Sequence, residues 1–60
     1  MDFNPTFEVC GIRLTLTEIC HDAGMRAYYS KGRDAYYDSY YNTLEKFMPN
    51  HPALEDWRQP

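Results

Sequence analysis

Thr15-Leu16-Thr17-Glu18 constrains this chain more tightly than any other segment, because it specifies a helix start to the residue. A threonine followed three positions later by glutamate is a capping box: the Thr15 hydroxyl accepts from the Glu18 amide, and the Glu18 carboxylate reaches back to the Thr15 amide. Leu14 before the cap and Ile19 at the fourth helical position add a hydrophobic staple. Leu16, Ile19, Cys20 and Ala23 then follow at the spacing of one buried helix face. Gly24 supplies a left-handed terminator, which predicts a helix over residues 16–23.

Upstream of that cap, Phe7 and Val9 share one parity while Ile12, Leu14 and Leu16 share the other, with Gly11 at the change of phase. This pattern predicts a hairpin over residues 6–16 turning at Cys10-Gly11, or one strand bulged there. A lone two-stranded hairpin is marginal in water, so it must lie against a helix.

Downstream, all six tyrosines fall in residues 27–42 as three adjacent pairs. Placed on one helix of residues 25–48, Tyr29, Arg33, Tyr36, Tyr37, Tyr40, Tyr41, Leu44, Phe47 and Met48 occupy an arc of about 140°. Gly32 inside that run costs roughly 1 kcal/mol against alanine, so a break near residues 30–32 competes with the continuous helix. Pro49 stops the helix at Met48 in either arrangement. Pro52 suits the first position of a short helix over residues 52–58, with Leu54 and Trp57 on its buried side and His51 at its cap. The expected fold is a single α+β domain spanning residues 1–60, with an N-terminal hairpin followed by two or three helices, the longest of them tyrosine-rich.

Sixty residues with 17% aromatic content allow one small core, close to the size at which a domain needs help from disulfides, metals or oligomerisation. Six phenols and Phe47 exceed what four strand residues, one short helix and Trp57 can cover. The surplus is expected at the surface, where tyrosine is enriched in protein interfaces. Tyr28, opposite the main arc, is the leading candidate for exposure. The predicted partner-binding residues are Tyr28, Tyr29, Tyr36, Tyr37, Tyr40 and Tyr41, with Asp34, Asp38 and Glu45 steering basic groups of a protein partner.

A net charge of -3 argues against a protein held mainly by phosphate neutralisation. Cys10 and Cys20 read as buried free thiols in a reducing compartment. With His21 and His51 they lack zinc-site spacing, so no metal and no cofactor is expected. Gly11, Gly24 and Gly32 are isolated and form no phosphate-cradling loop, and the carboxylate pairs Asp34/Asp38 and Glu55/Asp56 have no cleft to separate their pKa values. The expectation is a non-enzymatic protein with no membrane span and no secretory leader, and hence a cytoplasmic one.

The segment "LTEICHDAGM" resembles the first helix and turn of a helix-turn-helix, as in regulators of the TetR or AraC type. It places Ile19 and Cys20 at packed positions and Gly24 at the turn. That resemblance implies a DNA-binding regulator in which Arg26, Lys31 and Arg33 contact phosphate, and it departs from the motif at Ser30 and Arg33, where aliphatic residues should pack. In kind, a compact acidic chain with an aromatic surface is similar to the small inhibitors made by bacteriophages, including anti-CRISPR proteins. This implies a viral inhibitor that acts in a host cytoplasm on a protein or nucleic-acid-binding complex. A tyrosine-faced helix could also pair with its own copy to form a homodimer.

Overall fold

The computed structural model describes residues 3–58; the outermost residues of the expected 1–60 domain lie outside these. The described residues form an α+β fold: an antiparallel hairpin of β1 (Thr6–Val9) and β2 (Ile12–Thr15) is followed by α1 (Leu16–Lys31), α2 (Arg33–Phe47) and α3 (Ala53–Arg58).

The hairpin turns on the two residues Cys10 and Gly11, both at positive φ (54° and 79°), as the tight turns that match strand twist require. Its register pairs Phe7 with Leu14 and Val9 with Ile12, so the four apolar side chains share one face of the sheet. Phe7 reaches the core cluster, and its ring lies 5.1 Å from that of Phe47. Ile12, near the hairpin tip, stays 60% exposed.

Thr15 is both the last residue of β2 and the N-cap of α1. The capping box forms in full: Thr15 Oγ1 accepts from the Glu18 amide at 3.2 Å, and Glu18 Oε1 accepts from the Thr15 amide at 2.9 Å. The remaining first-turn amides are bound by the preceding segment. The Leu16 amide donates to the Pro5 carbonyl at 2.8 Å, and the Thr17 amide donates to Asn4 Oδ1 at 2.8 Å. These donors have no partner within a helix, so filling them from outside anchors the N-terminal segment to α1.

α1 does not end at Gly24. It continues to Lys31, and Gly24 is buried in its interior. The reason is steric: a Cβ on Gly24 would stand 2.6 Å from Cε2 of Tyr36, so the missing side chain makes room for a ring from α2 instead of ending the helix. The break falls at Gly32, where φ 99° and ψ -173° occupy a region essentially reserved for glycine. The expected single helix of residues 25–48 is therefore two elements, with residues 25–31 belonging to α1. The Gly32 amide closes α1 on the Tyr28 carbonyl at 2.9 Å, and α2 folds back alongside.

α2 ends at Phe47 ahead of Pro49, with Met48 as its C-cap. His51 then caps α3: its Nδ1 accepts from the Ala53 amide at 3.1 Å, while its Nε2 donates to the Phe3 carbonyl at 2.9 Å. One imidazole thus joins the N-terminal segment to the last helix. Leu16, Cys20, Leu44 and Leu54 are buried, with Phe7, Tyr40, Tyr41, Met48 and Trp57 packed around them. Each leucine contributes roughly 1.5–3 kcal/mol by leaving water. Cys20 is a buried free thiol as expected; Cys10 is free but exposed, because it occupies the two-residue turn at the tip of the hairpin. The Cα trace measures 28 × 26 × 12 Å, so the helices form a layer about one helix thick.

Candidate docking surface

The aromatic rings form a connected series rather than a scatter. His21 on α1 meets Tyr36 on α2 at 5.8 Å, Tyr36 meets Tyr40 at 5.9 Å, Tyr40 meets Tyr41 at 5.3 Å, and Tyr41 stacks on Trp57 of α3 at 5.8 Å and 17°. Tyr37 branches from the series, edge-on to Tyr36 at 5.2 Å. Helical geometry explains the order: positions 36 and 40 are one turn apart and face α1, while 37 and 41 sit one step around and face the α3 side. The edge-on contacts are the arrangement that ring quadrupoles favour.

Polar contacts hold the ladder in place. The Tyr36 hydroxyl and His21 Nδ1 share a hydrogen bond of 2.8 Å. Burial pushes the Tyr40 phenol above its ordinary 10.0, reinforced by neighbouring Cys20, Tyr36 and Tyr41 and opposed by a hydrogen bond with Thr17. Beside the ladder, Phe3, Thr17, Tyr40, Tyr41 and His51 rim a cleft of about 140 Å³.

The six tyrosines divide by exposure. Tyr36, Tyr40 and Tyr41 are half-buried, whereas Tyr28, Tyr37 and Tyr29 are 46%, 56% and 79% exposed. Tyr28 is exposed as expected, but Tyr29 is more so. The arc that placed Tyr29 among the packed rings assumed one continuous helix, and the break at Gly32 separates its phase from that of α2. Tyr28 and Tyr29 lean on each other at 5.7 Å, apart from the ladder. Arg33, on the same arc, is exposed as the first residue of α2, at the helix end rather than along its packed middle.

The acidic residues do not act as one group. Asp34 and Asp38 are exposed on α2, while Glu45 is engaged by Arg58: Nε donates at 3.0 Å and Nη2 at 2.5 Å, tying α3 to α2. An exposed pair of this kind contributes about 0–1 kcal/mol, yet it leaves Glu45 occupied within the fold.

Among the cations of the DNA-binding reading, Arg26 pairs with Asp22 at 3.1 Å. Arg26 and Lys31 line a groove between α1 and α2 on the other side of the helical layer, and Arg33 is not among the groove-lining residues. The turn that the helix-turn-helix resemblance places at Gly24 is absent, since α1 runs through it. Among the described residues no group of three or more His, Cys, Asp or Glu side chains is placed to hold a metal ion, and no helix is long and apolar enough to cross a membrane.

The sequence reading missed three contributors. His21 lies fifteen positions from Tyr36, so no periodicity links them. The stacking of Trp57 on Tyr41 and the fit of Tyr36 over Gly24 depend on how helices meet, which no local pattern carries. No family model, curated protein or solved structure matches the chain.

Proposed function

We propose that this chain is a small non-enzymatic binding protein that docks on a larger protein through the aromatic face and thereby blocks or modulates it. The observation that carries the reading is the exposure of Tyr37 on a ring ladder that already fixes its neighbour. Tyr37 is 56% exposed and edge-on to Tyr36, which is itself bonded to His21. An amphipathic ring held in position before contact loses little side-chain freedom on binding, which is what makes tyrosine effective at interface centres. Tyr28 and Tyr29 extend the contact, and Asp34, one turn before Asp38, supplies exposed negative charge that speeds encounter with a basic partner. An inhibitory role of the phage type follows from this reading when the partner's own working surface is basic.

The test is retention of a protein partner from nuclease-treated lysate, followed by affinity measurement with variants. Tyr37→Ala and Tyr28→Ala should leave the thermal midpoint within a few degrees of the parent while weakening binding by about 2 kcal/mol or more, roughly thirtyfold. Asp34→Lys should slow association and lessen its salt dependence. Equal retention of the partner by the parent and the Tyr28/Tyr37 double variant would refute the reading.

A further inference from the structure

The groove between α1 and α2 is a second surface, separate from the tyrosine ladder. Its volume is about 640 Å³, and its floor is built from Ala23, Ala27, Ala35 and Ser39, small side chains contributed by both helices. Ser39 Oγ donates to the Ala23 carbonyl at 3.1 Å and holds the two walls together. On the α2 wheel, Ala35 and Ser39 lie roughly 150° from the flank bearing Tyr37 and Tyr41. The Cα trace is only 12 Å thick in its short direction, so this face has no second layer over it.

The rim is cationic although the chain as a whole carries -3. Lys31 ends α1 and Lys46 lies in the last turn of α2. The helices run antiparallel, so the two lysines stand at opposite ends of the groove, about 20 Å apart along α2 by helix rise. Among the described residues neither has an ion-pair partner. Arg26 and Asp38 line the groove between them.

We infer that this groove receives an acidic amphipathic helix from a protein partner, laid between α1 and α2 as the third member of a helical bundle. Small floor residues let a third helix approach at the short end of the 8–10 Å range of interaxial distances, in the helix-in-groove mode of recognition. Carboxylates nearly four turns apart on that helix meet Lys31 and Lys46, and a basic residue between them meets Asp38. A second copy of this chain seated face to face would set like charges against each other, Lys and Arg rim against Lys and Arg rim. A duplex is the poorer occupant, since three cations with Asp38 among them neutralise too few phosphates.

The full chain, labelled with ¹⁵N, is to be titrated with a synthetic Ala/Leu/Glu helical peptide of about five turns, with its Lys-for-Glu counterpart, and with a DNA duplex. The acidic peptide is expected to shift the amides of Ala27, Ala35 and Ser39 and to bind less tightly as salt rises. Lys31→Glu combined with Lys46→Glu should weaken it by about tenfold or more with native spectra retained, and the double Gln variant by less. Tyr37→Ala should leave peptide binding unchanged, which separates this surface from the aromatic one. The inference is overturned by equal binding of the cationic peptide, by shifts centred on Tyr28 and Tyr37, by groove shifts with the duplex alone, or by no shifts at all.

Discussion

Gly24 shows how one missing Cβ decides an element boundary. Replacing it with alanine sets two effects against each other. Helix propensity improves by about 1 kcal/mol, but the new Cβ would meet Cδ2 and Cε2 of Tyr36 at 2.7 and 2.6 Å. Tyr36 is not free to swing away without giving up its bond to His21 and its place between Tyr37 and Tyr40. Overpacking of this kind costs typically 1–3 kcal/mol, so Gly24→Ala should destabilise the fold on balance. At this size each kcal/mol moves the thermal midpoint by roughly 4–8 °C. In a Tyr36→Ala background the same substitution should instead stabilise by about 1 kcal/mol, because only the propensity gain remains. Thermal melts of the four proteins in that cycle measure the coupling directly. From sequence alone Gly24 read as a terminator, since nothing local distinguishes a glycine that ends a helix from one that accommodates a neighbour.

At the scale of elements, the joint between α1 and α2 rests on Gly32. Nothing lies within 4 Å of a Cβ built there, so Gly32→Ala incurs no clash and its cost is purely conformational. Alanine tolerates φ 99° with extended ψ poorly, by about 1–3 kcal/mol, and the residues on either side are already helical. The expected result is that α1 and α2 fuse into one long helix: ellipticity at 222 nm is kept or increased, while the radius of gyration rises well above 11.7 Å for the Cα trace. Small-angle scattering with circular dichroism checks both halves, and an unchanged radius would show that the reversal survives without glycine. The elements legible in the sequence are those with chemistry at their ends: the two-residue turn at Cys10-Gly11, the cap at Thr15 and Pro52 ahead of α3. The α1–α2 reversal has one glycine and no side-chain cap, which left one helix and two equally compatible with the tyrosine spacing.

For the whole molecule, the pH range of stability follows from three groups whose protonation is tied to folding. The Thr15 amide, and then its hydroxyl, hold the Glu18 carboxyl below its ordinary 4.5. A depressed acid contributes stability that is present above the unfolded value and is lost as pH falls through the folded one. Burial raises Cys20 above 9.0 and Tyr40 above 10.0. For these acids the neutral form is favoured in the fold, so their contribution is complete below the unfolded values and disappears as pH climbs through the folded ones. Urea midpoints against pH should therefore show a plateau falling away on both sides. Glu18→Gln should flatten the acid limb and leave the alkaline limb in place; an acid limb unchanged by that substitution would mean that the capping box does not govern it.

Sequence alone determined what nearest neighbours along the chain can enforce: the hairpin turn, the capping box, the stop before Pro49 and the amphipathic character of the tyrosine segment. Each depends on contacts within about one helical turn, where covalent spacing specifies geometry. Only the tertiary structure decided that α1 passes through Gly24, that Tyr29 lies outside the packed set, that Glu45 is taken by Arg58, and that small residues of two helices face one another across a groove. Those outcomes depend on how two helices approach, and the approach is set by the combined shape of side chains far apart in sequence.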